Sequence, residues 1–252
     1  MIRRIAAAVL LVVLIAAGVA DCGGSDPGQL RVSAAASLKS AFENYAAAEF
    51  PDDEIDQSFA GSDQLAAQIQ QGARPDVFAS ANTDYPQQLY EKGLLEKPVI
   101  FAANRLVLAV PAKSDIDQLA DVARPGTSVV IGDPDVPIGS YTREVLGRLP
   151  TSESSAILGN VRSREPDVSS IVGKLTQDAA DAGFVYVTDV RAAGGQLRAI
   201  QLPDALQPDV AYGIGVVKGA PDPDLAREFV KGVEPGGAGV RYLRQAGFLP
   251  PG

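Results

Sequence analysis

Four segments of the sequence place a serine or a small loop at the predicted start of a helix. Ser37 follows three alanines, Ser62 follows a Phe-Ala-Gly turn, and the segments around Ile138 and Val168 also lead into helices. The first turn of a helix directs unpaired backbone N–H groups outward and carries about half a positive charge. Several such ends that face one point would hold an oxyanion without a cationic side chain.

Each of these segments also has an ordinary explanation. Serine is a favoured N-cap in any helix, so a single serine at a helix start is usually a cap. The alanines at 34–36 would expose backbone at the floor of a cleft, but tight packing of a strand on a helix explains them equally well. Tyr186, in the segment GFVYVTD, is typical of a core tyrosine. Taken one by one, these residues leave the function open.

Composition excludes several other chemistries. The 252 residues contain no histidine, which excludes histidine-based triads and histidine metal sites, and Cys22 is the single cysteine. No serine has a lysine three residues later, and the VGKLT segment lacks the spacing of a phosphate-binding loop. The acidic run at 52–54 lacks calcium-loop spacing. A net charge of −9, with 31 acidic and 22 basic residues, argues against nucleic acid and anionic lipid surfaces as partners.

The amino terminus predicts export. Two arginines precede an apolar run at 5–20, which favours a signal peptide over residues 1–21 rather than a membrane-spanning helix. The letters VADC resemble the lipobox of bacterial lipoproteins, which would make Cys22 a lipid anchor. Asp21 departs from that pattern, so a soluble secreted protein with a free thiol is the alternative. Residues 22–29 then form a tether. Removal of residues 1–21 would make the net charge −10.

Strand-like and helix-like segments alternate from Leu30 onward, which predicts an α/β fold with largely parallel sheets. Two apolar strands, Arg105–Pro111 and Val210–Val217, are the natural crossovers if the chain forms two lobes. A cleft with a hinge beneath it would then be the expected place for a small ligand.

Five segments together resemble the molybdate-binding proteins of bacterial ATP-driven (ABC) importers. They are, in order, VSAAASL, SFAGSDQLAAQI, RPDVFASA, IGDPDVPIGSYTREVL and GFVYVTD. The resemblance spans most of residues 30–249 and implies the two-lobed type II periplasmic binding fold, in which two crossover strands join mixed, mostly parallel sheets. It places residues 30–108 and 213–252 in the first lobe and residues 109–212 in the second.

The same resemblance implies a binding set for a dehydrated tetrahedral oxyanion. Its donors would be the hydroxyls of two serines and a tyrosine and two backbone amides: Ser37, Ser62, Tyr186, Ile138 and Val168. The sequence departs from many members at Gly61, where they have a further serine, and at Ile138, where a smaller residue is usual. No matched position is acidic, which favours simple tetrahedral binding of the molybdenum or tungsten oxyanion.

The resemblance therefore implies an extracytoplasmic, lipid-anchored or secreted binding protein that delivers molybdate, and tungstate, to a membrane permease and its ATPase. It implies a monomer that is not an enzyme and has no cofactor. Two alternatives stay open: a receptor for sulfate or another tetrahedral oxyanion, and a secreted α/β hydrolase that uses Ser37 or Ser62. The missing histidine leaves neither serine an evident base.

Overall fold

The computed structural model of the protein describes residues 29–252. The predicted signal peptide (1–21), the anchor Cys22 and the tether up to residue 28 lie outside the described residues and stay predictions. Gln29, which was expected to end the tether, is the first residue of a strand and pairs with Glu54. Within residues 29–252, no helix is both long and apolar enough to cross a membrane.

Ten strands are found in this part of the chain. They are β1 (Gln29–Ala35), β2 (Glu54–Ala60), β3 (Val77–Ser80), β4 (Val99–Asn104), β5 (Leu106–Pro111), β6 (Val129–Gly132), β7 (Val161–Glu165), β8 (Ala182–Tyr186), β9 (Leu197–Gln201) and β10 (Val210–Val216). They form two five-stranded sheets, with the orders β2-β1-β3-β10-β4 and β7-β6-β8-β5-β9.

Nine α-helices flank the sheets of the described chain. They are α1 (Lys39–Glu49), α2 (Ser62–Gln70), α3 (Asp84–Glu91), α4 (Pro137–Gly147), α5 (Thr151–Gly159), α6 (Val168–Thr176), α7 (Val187–Ala192), α8 (Pro223–Val233) and α9 (Val240–Ala246). Short 3₁₀ turns cover Ala36–Leu38, Leu119–Ala123 and Asp204–Leu206. The α/β class predicted from the alternating pattern is confirmed.

The two sheets have the same design. In each, four strands run in the same direction, and the fourth strand of the sheet order, β10 in the first sheet and β5 in the second, is antiparallel to both of its neighbours. The chain passes from the first sheet to the second at Arg105, between β4 and β5, and returns through residues 202–209 to β10. The fold is therefore two-lobed, with two connections between the lobes. The lobe limits at 108/109 and 212/213 stay a prediction.

Aromatic packing holds the amino-terminal helix of the first lobe. Phe42 and Tyr45 on α1 are buried and contact Phe229 of α8, with ring centroids 5.5 and 4.9 Å apart. Each buried aromatic side chain contributes about 1.5–3 kcal/mol through the hydrophobic effect. This packing anchors α1 and thereby positions the 3₁₀ turn that precedes it.

Candidate oxyanion-binding site

One small cavity between the two lobes is lined by all five residues of the predicted binding set. Ser37, Ser62, Ile138, Val168 and Tyr186 line a cavity of about 20 Å³, together with alanine and glycine from the strand ends. Ser62 and Tyr186 are each only 1% exposed, and the other three are also buried. Residues up to 149 positions apart in the sequence are thus brought to one point.

Ser37 lies in the 3₁₀ turn that follows β1. We expected it to begin a helix, but α1 begins two residues later, at Lys39, and the Ser37 side chain caps no backbone group. Its Oγ is instead 2.9 Å from the hydroxyl of Tyr212. The three small residues before it keep the strand end narrow, which lets the hydroxyl reach the cavity wall from a buried position.

Ser62 is the first residue of α2, directly after β2. Its Oγ accepts a hydrogen bond of 3.1 Å from the backbone N–H of Ala81. A hydroxyl has one proton to donate and lone pairs to accept. Because the bond from Ala81 uses a lone pair, the Ser62 proton remains available to donate into the cavity.

Ile138 and Val168 contribute helix starts from the second lobe. Ile138 is the second residue of α4 and Val168 the first of α6, so their N–H groups belong to the unpaired first turn. Asp167 caps α6, with Oδ1 accepting from the N–H of Ser170 at 2.8 Å. At Gly139, next to Ile138, a β-carbon would lie 1.8 Å from the carbonyl oxygen of Asp133, so this close turn requires glycine.

The hydroxyl of Tyr186 is buried and has no hydrogen-bond partner in the described chain. The ring lies at the end of β8 and packs against Tyr212 and Tyr141, with centroids 5.9 and 6.4 Å away. Burial raises the pKa of the Tyr186 hydroxyl well above its usual value, so the group stays neutral and keeps its proton. A buried hydroxyl without a partner is costly, and an anion in the cavity would supply the missing acceptor.

Asp189 supports Tyr186 from the first turn of α7. Its Oδ2 accepts from the backbone N–H of Tyr186 at 2.9 Å. Burial raises the pKa of this carboxyl to about 7, and the charge of Asp167 adds to the rise, while the bond from Tyr186 opposes it. The Asp189 carboxyl therefore keeps its proton to a higher pH than an exposed aspartate does.

This raised pKa predicts a pH dependence of stability. Between about pH 4 and pH 7 the folded state holds a proton on Asp189 that the unfolded chain has lost, so this group makes stability fall as pH rises. The slope is at most about 1.4 kcal/mol per pH unit. Asp189→Asn keeps an acceptor for the backbone N–H of Tyr186 but cannot titrate. We expect its free energy of unfolding, measured by urea at each pH, to fall less between about pH 4 and pH 7 than that of the wild type. The same dependence of unfolding free energy on pH in both proteins would contradict a raised pKa at Asp189.

The lobes approach each other closely around the cavity. The hydroxyl of Tyr85, on α3, donates to the carbonyl oxygen of Asp135 in the second lobe at 2.5 Å. At Gly61 a β-carbon would lie 2.4 Å from the carbonyl oxygen of Pro166, also in the second lobe. Since backbone atoms cannot rotate away, the missing side chain at Gly61 is what allows this approach.

Gly61→Ala is expected to weaken ligand binding by preventing this closure. The added methyl group meets backbone of the opposite lobe, so relief requires the lobes to separate and the donors to move apart. We expect at least about tenfold weaker binding by calorimetric titration, which corresponds to about 1.4 kcal/mol. Gly147→Ala, on the open surface of α4, is the matched control. Equal affinities for Gly61→Ala and the wild type would show that the close approach is dispensable.

Several residues around the site were missed by the sequence reasoning. Tyr212 and Asn104 lie behind Ser37, and Asp167 lines the cavity beside Val168. Tyr212 sits in an apolar strand 175 positions from Ser37, so no local pattern could have paired them. Within residues 29–252, no group of three or more cysteine or acidic side chains is arranged to hold a metal ion.

Two α/β lobes with a buried, donor-lined cavity between them define a two-lobed binding protein. Residues 30–249 match the family model described as bacterial extracellular solute-binding protein, and the chain belongs to this family. The molybdate-binding protein ModA of Mycobacterium tuberculosis is 36% identical to this chain over 260 residues, which cover 96% of this chain and 97% of the relative.

Two solved structures show how widely the fold is shared. The periplasmic molybdate-binding protein of Azotobacter vinelandii is 23% identical, with a TM-score of 0.79 over 88% of this chain and all of the other. The sulfate-binding protein SubI of Mycobacterium tuberculosis is 17% identical, with a TM-score of 0.73 over 88% of this chain and 86% of the other. The fold is thus common to proteins named for different oxyanions, and the choice of ligand depends on the cavity.

Proposed function

We propose that this protein captures molybdate, and tungstate, as a dehydrated tetrahedral oxyanion and delivers it to a membrane importer driven by ATP. The observation that carries the proposal is the convergence of Ser37, Ser62, Ile138, Val168 and Tyr186 on one buried cavity. The 36% identity to ModA over almost the whole chain supports the choice of molybdate.

The donor set suits a dianion that binds without a counter-charge. Hydrogen bonds to charged groups contribute about 1.5–3 kcal/mol each, so five of them could support micromolar or tighter binding after the costs of association. The net charge of the whole chain, −9, opposes a dianion only at long range. Salt screens this field within about 8 Å at physiological ionic strength, so local donors decide the affinity.

Size and protonation would determine selectivity. Bonds from molybdenum or tungsten to oxygen are longer than bonds from sulfur, so donors spaced for the larger ion would make long, weak contacts with sulfate. Hydrogen phosphate would also need an acceptor for its proton. Asp167 lines the cavity and its Oδ1 accepts from Ser170, so Oδ2 is the carboxylate oxygen left to accept that proton, and size is the stronger of the two criteria.

A sulfate receptor is the second candidate, since SubI has a similar fold. A hydrolase is disfavoured by the surroundings of the serines, because Ser37 contacts the Tyr212 hydroxyl and Ser62 the Ala81 amide. In the described chain neither bonds to a lysine or carboxylate that could act as a base. We infer that the ligand is bound and released unchanged.

We further propose that the protein acts as a monomer outside the cytoplasmic membrane. Its anchor would be a lipid on Cys22, after removal of residues 1–21. Mass spectrometry of the membrane fraction is expected to find a diacylglyceryl group on Cys22, whereas a soluble protein with a free thiol would reject the anchor.

Thermal unfolding with four anions in turn tests the proposed ligand. A ligand at 100 times its dissociation constant stabilises the folded state by about 2.7 kcal/mol. We expect molybdate and tungstate to raise the unfolding temperature at micromolar concentration, and sulfate and phosphate to do so only at far higher concentration. No shift with molybdate, or an equal shift with sulfate, would reject the proposal.

A further inference from the structure

Ser37 is the end of a buried chain of polar side chains that crosses between the lobes. Thr188, at the start of α7, accepts from the side-chain amide of Asn104 at 3.0 Å. The same amide nitrogen lies 3.4 Å from the hydroxyl of Tyr212, which is 2.9 Å from Ser37 Oγ. All four residues are buried, and Asn104 ends β4, where the chain leaves the first lobe.

The contacts of Asn104 define which groups donate and which accept in this series of hydrogen bonds. Its Oδ1 accepts from the backbone N–H of Arg105 at 2.9 Å, so the amide nitrogen faces Thr188 and Tyr212. An amide nitrogen can only donate. The Tyr212 oxygen therefore accepts from Asn104, and the Tyr212 proton can donate to Ser37 Oγ, although either oxygen of that pair can be the donor. When Tyr212 is the donor, Ser37 keeps its own proton for the cavity.

We propose that Tyr212, held by Asn104, is a positioning residue that makes Ser37 an obligatory donor and so selects fully deprotonated oxyanions. This inference rests on the proposed function of the cavity. Ser62 is also a donor to the cavity, because its oxygen already accepts from the backbone N–H of Ala81. With both serine oxygens already accepting, the two hydroxyls point their protons at the ligand.

The arrangement has two consequences for binding. Ser37 does not have to reorient when the anion enters, and each bond in a chain of hydrogen bonds polarises the next. For a ligand that carries a proton, such as hydrogen phosphate, a bond donated by Tyr212 removes one of the two lone pairs of Ser37 as an acceptor. Tyr212 thus acts on both affinity and selectivity without lining the cavity itself.

Tyr212→Phe tests the inference, because it removes the hydroxyl and keeps the ring that packs on Phe248. We expect molybdate to bind about tenfold more weakly, the loss of about one hydrogen bond. We expect the affinity for hydrogen phosphate to fall less, so that the ratio of the two dissociation constants narrows. Tyr45→Phe is the matched control, since its buried hydroxyl donates to the Phe229 carbonyl in the core of the first lobe. The control should leave both dissociation constants unchanged.

A double-mutant cycle with Ser37→Ala separates positioning from a general structural effect. If Tyr212 acts through Ser37, then Tyr212→Phe should change molybdate affinity by less than about twofold in the Ser37→Ala background. An undiminished effect there, or an unchanged or tighter affinity for Tyr212→Phe alone, would overturn the inference. Failure of the wild type to bind molybdate would instead reject the proposed function, and this inference with it.

Thr188→Val provides a second route if Tyr212→Phe folds poorly. Valine has nearly the shape of threonine but offers no acceptor to the Asn104 amide. We expect a smaller loss of molybdate affinity in the same direction, which should also disappear in the Ser37→Ala background. An equal loss of molybdate affinity in the wild-type and Ser37→Ala backgrounds would contradict the proposed series of hydrogen bonds.

Discussion

Replacing both Ser37 and Ser62 by alanine is expected to lower molybdate affinity by about two to four orders of magnitude. Each serine would lose one hydrogen bond to a charged ligand, worth about 1.5–3 kcal/mol, and every 1.4 kcal/mol changes the dissociation constant tenfold. The substitutions remove little volume from walls that are already lined by alanine and glycine. Calorimetric titration of the double variant and of each single variant measures the loss.

The fold must be checked separately for these variants. Ser62→Ala leaves the buried N–H of Ala81 without its acceptor, which costs about 1–3 kcal/mol of stability. Urea unfolding without ligand measures that cost. Ser152→Ala together with Ser155→Ala, two exposed serines on α5, is the control for changing two hydroxyls on the surface. A folded Ser37→Ala/Ser62→Ala protein with wild-type affinity would reject the serines as ligands.

Val168→Pro is expected to weaken molybdate binding by about 10- to 150-fold through loss of a single backbone proton. Val168 is the first residue of α6, where proline is favoured because the N–H there has no partner within the helix. The preceding residue, Asp167, has φ −160° and ψ 169°, an extended conformation that a following proline permits. The helix should therefore persist while the amide donor disappears.

The matched control for this substitution is Thr151→Pro. Thr151 is the exposed first residue of α5 and follows Pro150, whose ψ of 138° is likewise compatible with proline. Both variants should unfold at concentrations of urea close to that of the wild type, and only Val168→Pro should lose affinity. Retention of full affinity by a folded Val168→Pro protein would remove this amide from the binding set.

Much of the fold could be predicted because its central strands and helices have strong local patterns. The run Leu106–Pro111 is apolar and bounded by arginine and proline, and it forms β5. The edge strand β2 was predicted from the alternation in EIDQSFA, but the other three edge strands, β4, β7 and β9, were missed. β7 has the sequence VRSRE, in which only Glu165 is buried, so its sequence is typical of a solvent-exposed loop. Its pairing with β6 comes from the tertiary structure and not from propensity.

The candidate site was predictable for a different reason. Ser37 and Ser62 were chosen as helix starts, but neither side chain caps its helix. Ser37 lies before α1 and bonds to Tyr212, a partner that only the complete fold brings near. The five donors were therefore identified by the resemblance to a family, and local sequence alone left them as ordinary caps or core residues. The resemblance did not point to Tyr212 or Asn104, so these two residues were not predicted.

A crystal structure of the protein with molybdate, phased at the molybdenum absorption edge, tests the central claim most directly. We predict one strong anomalous peak in the interlobe cavity, with oxygens about 2.7–3.2 Å from Ser37 Oγ, Ser62 Oγ, the N–H groups of Ile138 and Val168, and Tyr186 Oη. No protein atom should be bonded to the metal itself. A peak elsewhere, or an anion held by a different set of donors, would contradict the account.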